Sequence, residues 1–444
     1  MQSQSSLHLL SPCTLPHFKH TASPHLPLKS KEKKRKETEE MPSNPLINLL
    51  RKIFVPVISL TIMALDFFEI VTIQFFAKII LRRNIISLQH VLDATKRAFI
   101  VTLITVLQII APSTIRITTE NASIPKGTFR NDLKKGRIIS RLKPNSITIC
   151  NHQIYTDWVI LWWIAHTSGL SDRVYIILKK SLEKIPLLGY GMRNFKLIFM
   201  NRKWELDRVN MTNALSEIDA NARGQGPINS SQPISVDEDG MSHWDTSVRP
   251  LLQDREDRNG KYWPYNLILF PEGTNLSEET IKKSRDYAAK IGREATKHTL
   301  LPRSTGLRRS LEILKPSLDV LYDVTLGFSG VDAETPPETK YSLRNIFLRG
   351  IYPEVIDIHI RAFNIDEIPI DNEEEFTEWL FKVWKEKDDL MDWYYKTGTF
   401  HYDESAQSFV ENGFNNNNWE VLGTLALPLV AVLLVVRAIY LMLV

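Results

Sequence analysis

Apolar residues are concentrated at the two ends of the chain, and the middle alternates short apolar runs with amphipathic stretches. The first long apolar segment runs from Ile53 to Leu81 and is long enough to span a bilayer, but Asp66 and Glu69 interrupt it. A charge at mid-bilayer costs about 2.5–3.5 kcal/mol on insertion scales. Either those carboxylates face protein, or the segment dips into the membrane without crossing. A second segment, Phe99 to Ile117, is apolar over most of its length and broken by Pro112. The two together predict a membrane-seated helical hairpin. The last segment, Val421 to Val444, is apolar except for Arg437, which lies close enough to the end to snorkel, and it predicts a transmembrane helix. Basic residues flank the first segment on both sides (Arg51, Lys52; Arg82, Arg83), so charge asymmetry does not set the topology.

Between these segments, Ser146–Cys150 is short, apolar and β-branched, the pattern of a buried strand. Val174–Leu178, Leu197–Met200 and Asn266–Phe270 read the same way, and Trp158–Ile164 is helix-compatible. Strands alternating with helical stretches predict an α/β fold, a mixed and largely parallel sheet flanked by helices. Phe376, Trp379, Leu380, Val383 and Trp384 recur at helical spacing and predict an amphipathic helix packed on the core.

Residues 222–262 break the pattern with Gly224, Gly226, Pro227 and Pro233 and then an acidic run, which predicts a mobile surface insertion. The expected organisation is a disordered basic tail at 1–45, membrane-associated helices at 46–118, a catalytic domain at 119–400, a linker at 401–420 and the C-terminal span at 421–444. The tail carries the run Lys29–Lys36 but no apolar core long enough for a secretory signal. It reads as a solubilising tail, with a lean on anionic headgroups as the competing reading.

Composition narrows the function classes. A net charge of +4 without a basic stripe speaks against nucleic acid as a partner. Cys13 and Cys150 are the two cysteines, too few for a disulfide framework or a cysteine zinc site, and the histidines are scattered without ligand spacing. No metal site is expected. Cys150, beside the motif below, reads as a small buried residue closing a strand.

The chemistry centres on Asn151-His152-Gln153-Ile154-Tyr155-Thr156-Asp157, directly after the Ser146–Cys150 strand. On one continuous helix, five residues would put His152 and Asp157 roughly 140° apart. They meet if His152 ends the strand and Asp157 opens the following helix. The carboxylate then fixes the imidazole tautomer and leaves the other nitrogen free as a base. General-base help of that kind is worth about 10²–10⁴ in rate. Alone, such a pair is more often accidental than catalytic.

Phe270-Pro271-Glu272-Gly273-Thr274 follows the next strand and predicts a tight turn at the sheet's carboxyl edge, where α/β proteins place ligands. Gly273 permits close backbone approach, and Glu272 is a candidate acceptor for a glycerol hydroxyl. The bland alternative is an ordinary strand-to-helix turn capped by Thr274. Arg202, after another short strand, offers a planar cation suited to phosphate, balanced against a solvated Arg-Lys pair. Pro302 and Arg303 sit in a Pro- and Gly-punctuated turn that by itself reads as a loop.

In this order the four blocks resemble the glycerolipid acyltransferase family that includes lysophosphatidate acyltransferases. The family's Asn-His-x-x-x-x-Asp block matches at Asn151, His152 and Asp157, and its Phe-Pro-Glu-Gly-Thr block at 270–274. The style of the Arg202 and Pro302-Arg303 blocks is similar to the branch of lysocardiolipin and lysophosphatidylinositol acyltransferases. Longer stretches (residues 151–158, 177–195, 263–277 and 321–330) resemble the fungal lysophosphatidylinositol enzymes that remodel the sn-1 chain. The resemblance covers roughly residues 100 to 365. One departure is Arg303, which stands where the wider family ends an apolar run in proline.

The resemblance implies transfer of an acyl group from acyl-CoA to a lysophospholipid hydroxyl, with no cofactor beyond that co-substrate. His152 is the implied base and Asp157 its orienting partner. Asn151, Arg202, Glu272, Gly273, Thr274, Pro302 and Arg303 are the implied substrate contacts. Acylation of lysophosphatidate or lysocardiolipin is the enzymatic alternative, and a dead-scaffold membrane adaptor the non-enzymatic one. The expected location is the endoplasmic reticulum membrane, or else a lipid droplet, with the site facing the cytosol where acyl-CoA is supplied. A glycan on the Asn275-Leu276-Ser277 sequon would contradict that orientation.

Overall fold

A computed structural model of the chain describes residues 45–201, 203–250 and 261–423, together with 426 and 437. The fold described here lies within the unit Leu49–Val444. The expected tail at 1–45 and most of the C-terminal span fall outside the described residues.

Eight strands form one sheet: β1 (Thr114–Glu120), β2 (Ser146–Cys150), β3 (Val174–Lys179), β4 (Ile198–Met200), β5 (Asn266–Leu269), β6 (Val320–Phe328), β7 (Val355–Phe363) and β8 (Gln407–Gly413). Their spatial order is β8-β1-β7-β6-β2-β5-β3-β4. The β6–β7 and β1–β8 pairs are antiparallel and the others parallel, the mixed and largely parallel sheet of an α/β fold.

β2 and β6 lie centrally, and every residue in them is buried. Strands covered on both faces have no need to alternate polar with apolar, which explains the unbroken apolar run of β2. Ile147 and Ile149 pack on one side of the sheet. Cys150 packs on the other, as a buried free thiol.

Helices cover both faces: α1 (Pro45–Ile80), α2 (Ile85–Ile110), α3 (Asp157–Thr167), α4 (Trp204–Ala222), α5 (Glu278–Lys290), α6 (Ser304–Leu314) and α7 (Glu373–Thr397). α2 and α3 contribute Ile100, Ile104, Ile160 and Trp163 to one core. α4, α6 and α7 contribute Met211, Leu215, Leu311, Phe376 and Trp384 to the other.

Phe54–Ile80 of α1 is, among the described residues, the helix long and apolar enough to cross a membrane. Phe68, Phe75, Phe76 and Ile80 are exposed on it. Its polar residues turn the other way: buried Asp66 accepts a 2.6 Å hydrogen bond from Thr102 of α2, and buried Gln74 donates to Thr95. The Asp66 carboxylate thus faces protein.

The structure revises several expected boundaries. Residues 99–117 do not form one continuous apolar segment. α2 stops at Ile110, Pro112 breaks the chain, and Thr114 opens β1. Ile100, Ile104 and Val106 of α2 are fully buried, so the apolarity of this stretch serves the core. The proposed linker 401–420 is likewise not a linker, because Gln407–Gly413 pairs along β1 as an edge strand. The described part of 222–262 packs on α4. Its hairpin is held by Asn213, which donates to the Gly240 carbonyl and accepts from the Ser242 amide, while Arg223 is buried against Asp219. Residues 251–260 lie outside the described residues.

Candidate active site

β2, β3, β4 and β5 run parallel, so the segments after Cys150, Met200 and Leu269 emerge together at one edge of the sheet. After β2 the chain turns tightly and enters α3 at Asp157. In that turn His152 Nδ1 lies 3.0 Å from Asp157 Oδ2. The same oxygen accepts the amides of Gln153 at 2.6 Å and Ile154 at 3.0 Å. Asp157 is fully buried, whereas the His152 side chain is 18% exposed. Burial pushes the Asp157 carboxyl above its ordinary pKa, and hydrogen bonds from His152 and the two amides oppose that push. With Nδ1 occupied, Nε2 is the nitrogen left for chemistry. The ring stacks on Phe270, centroids 4.2 Å apart, which restrains its orientation.

Glu272 arrives from the turn after β5. Its Oε2 accepts the His152 backbone amide at 3.2 Å, and its Oε1 accepts the indole N–H of Trp384 at 3.2 Å. Burial pushes its pKa up to about 8, against hydrogen bonds from His152, Trp384 and the Leu300 amide and the charge of Lys387. The Glu272 carboxyl therefore binds protein groups and ties two strand-end turns together.

Gly273 takes a left-handed φ of +74°, the conformation that lets this turn close after Glu272, and nothing stands within 4 Å of where its Cβ would be. Thr274 is half-buried on the same turn, and the capping residue of α5 is Ser277, not Thr274. The Leu276 amide donates to the His152 carbonyl at 2.7 Å.

Asn151 is fully buried. It donates to the Leu326 carbonyl at 3.1 Å and accepts the Leu326 amide at 2.9 Å, locking the end of β2 to β6. The Arg303 amide donates to the Pro271 carbonyl at 2.9 Å, which brings the 302–303 turn beside Glu272; Pro302 is buried and Arg303 exposed. Asp207 closes the 201–207 turn by accepting from the Asn201 and Lys203 amides at 2.8 and 3.1 Å. Arg202 itself lies outside the described residues. Among the described residues no cluster of His, Cys, Asp or Glu is arranged to hold a metal ion.

Three residues of this neighbourhood escaped sequence reading: Trp384, Gln153 and Asp388. Trp384 carried a signal, since a buried indole needs an acceptor for its N–H. Asp388 lies on the same helix among charged residues, and nothing local in the sequence distinguishes it from them.

The site thus pairs a partly exposed imidazole with a fully buried carboxylate at the carboxyl edge of an α/β sheet. The family model for acyltransferases matches residues 126–312, and that for the acyltransferase C-terminus matches 346–420. The chain belongs to the acyltransferase family. It is 50% identical over 391 residues to 2-acyl-1-lysophosphatidylinositol acyltransferase of Saccharomyces cerevisiae, covering 88% of this chain and 97% of that one. It is 28% identical to a probable 1-acyl-sn-glycerol-3-phosphate acyltransferase of Arabidopsis thaliana, over 59% of this chain and 57% of the relative. Lysocardiolipin acyltransferase 1 of Gallus gallus is also 28% identical, over 60% and 57%.

Proposed function

We propose that this acyltransferase esterifies the free hydroxyl of lysophosphatidylinositol with the acyl group of acyl-CoA, remodelling the sn-1 chain of phosphatidylinositol. The observation that carries the reaction type is the His152 Nδ1–Asp157 Oδ2 contact beside the Glu272 turn. The choice of headgroup follows the yeast relative, which aligns along nearly its whole length.

In this reading His152 Nε2 takes the proton of the acceptor hydroxyl as its oxygen attacks the thioester carbonyl carbon. Asp157 holds the ring and stabilises the imidazolium that forms. The tetrahedral intermediate collapses with cleavage of the carbon–sulfur bond, and the imidazolium returns its proton to the leaving CoA thiolate. The products are a diacyl phospholipid and free CoA, and the balance needs no metal or further cofactor. Arg202 and Arg303, permanent cations, supply charge for phosphate on the acceptor or on CoA. Exposed apolar residues of α1 fit a site held at the endoplasmic reticulum membrane, its catalytic face toward cytosolic acyl-CoA.

The test is an acyl-transfer assay on membranes holding the full chain, across lysophosphatidylinositol, lysophosphatidate and lysocardiolipin. Fastest turnover of lysophosphatidylinositol, abolished by His152→Ala, is expected. Faster turnover of lysophosphatidate or lysocardiolipin overturns the headgroup assignment. Wild-type rates in the His152 variant overturn the mechanism.

A further inference from the structure

α7 lies in the second matched family region, far along the chain from His152, yet two of its side chains reach the turns around that residue. Trp384 donates to Glu272 Oε1 at 3.2 Å, and Glu272 Oε2 accepts the His152 amide at 3.2 Å. One helical turn further on, Asp388 is 3% exposed and gathers the backbone of three consecutive residues. Its Oδ2 accepts the Lys297 amide at 2.8 Å. Its Oδ1 accepts the His298 amide at 2.7 Å, the Thr299 amide at 3.0 Å and the Thr299 hydroxyl at 3.1 Å.

The turn so fixed presents the His298 carbonyl to Gln153 Nε2 at 3.2 Å. Gln153 is fully buried, and its amide is the 2.6 Å donor to Asp157 Oδ2. Two hydrogen-bonded paths therefore start four residues apart on one face of α7. One ends on the backbone of His152, and the other beside the carboxylate that orients its ring.

Burial of α7 does not require this arrangement. Phe376, Leu380 and Val383 already anchor the helix in the core. Asp388 instead collects four donors from a loop that has no sheet to hold it. Catalytic groups have to be held within about 0.5 Å of productive geometry, and misplacement by 1 Å costs on the order of 10²-fold in rate.

We infer that Trp384 and Asp388 are positioning residues of the acyl-transfer site, and that α7 is the clamp setting the imidazole of His152 against Asp157. This rests on the general-base reading of His152 above.

The experiment uses the full chain in membranes, with whichever lysophospholipid the wild type turns over fastest. Asp388→Asn keeps the volume of the side chain but turns one acceptor into a donor facing a backbone N–H. Expected is a fall in kcat of about 10–100-fold. KM for both substrates should stay within about twofold, and the thermal midpoint close to that of the wild type. Gln153→Leu should give a similar fall, and the double variant should be no slower than the slower single one, because both break the same path. Trp384→Phe, which keeps a ring in the core and deletes the indole donor, should lower kcat on the separate path. Unchanged kcat in Asp388→Asn overturns the inference, as does a loss seen mainly in KM, a loss that tracks unfolding, or losses that multiply in the double variant. His152→Ala measured alongside reports on the general-base reading independently.

Discussion

His152 Nδ1 stands 3.0 Å from Asp157 Oδ2, and that oxygen also accepts the Gln153 and Ile154 amides. The carboxylate is thus held by the backbone of the same turn that carries the imidazole. In the proposed mechanism, Asp157→Asn removes the negative charge that would stabilise an imidazolium while keeping the side chain's size. The asparagine keeps one carbonyl oxygen to accept the Gln153 and Ile154 amides that Asp157 Oδ2 now accepts. The expected outcome is a kcat loss of about 10²–10⁴-fold with KM little changed. Steady-state kinetics with acyl-CoA checks it, and a variant retaining most of its kcat would remove Asp157 from the mechanism.

Burial displaces the Glu272 pKa upward, the opposite direction to that of an ion-paired carboxylate, and so reverses its effect on stability. Burial raises its folded-state value to about 8 from an ordinary 4.5, so between those two pH values the folded state binds more protons than the unfolded. Stability from this group is full below about pH 4.5 and is lost as pH rises through 8. Its slope is at most about 1.4 kcal/mol per pH unit. Thermal unfolding of detergent-solubilised protein across this range should show the decline, and Glu272→Gln should flatten it. An equal slope in the variant would assign the decline to other groups.

Lys387 of α7 carries a buried charge into the sheet. Its Nζ lies 2.7 Å from Asp323 Oδ1 and donates to the Val324 carbonyl and the Thr325 hydroxyl. Burial alone would raise the Asp323 pKa, but Lys387 and Arg361 outweigh it and hold the carboxylate below its ordinary value. Lys387→Met leaves that buried carboxylate short of a partner. A loss of about 3–5 kcal/mol is expected from chemical denaturation.

The turn after β5 depends on the backbone of Gly273 and not on space for a hydrogen. At φ +74° a Cβ meets no neighbour within 4 Å, so the cost of substitution is conformational. Gly273→Val should destabilise by about 1–2 kcal/mol, and Gly273→Asn by less, because asparagine visits the left-handed region more readily. Equal thermal midpoints for the two variants would show that strain is not the controlling cost.

Phe75 and Phe76 are half-exposed on α1 while Asp66 and Gln74 turn toward protein. Replacing both phenylalanines by aspartate puts two charges on the apolar face, at about 2.5–3.5 kcal/mol each if that face lies in lipid. In a chain ending before Val421, where the expected C-terminal span begins, the doubly substituted protein should shift from the membrane pellet toward the soluble fraction after alkaline extraction. An unchanged pellet fraction would place the membrane anchor elsewhere in the chain.

Local sequence alone determined the strand–turn–helix units of the candidate site. Cys150-Asn151-His152 closes a strand, Asp157 opens a helix, and Pro271-Glu272-Gly273 makes a turn, because short-range sterics and apolar runs decide such units. It also placed the amphipathic helix that became α7. Apolarity, however, does not distinguish a helix wrapped by protein from one facing lipid. Residues 99–117 therefore read as one apolar arm and are the buried end of α2 followed by β1, while the edge strand β8 read as a linker. Only the tertiary structure decided what Glu272 binds. Its carboxyl is taken by an amide 120 residues earlier in the chain and an indole 112 residues later. The same holds for Asp388, whose partners lie about 90 residues away. Hydrogen bonds that close over such separations leave no periodic trace along the chain, because it is the order of strands in the sheet, not spacing in sequence, that brings their ends together.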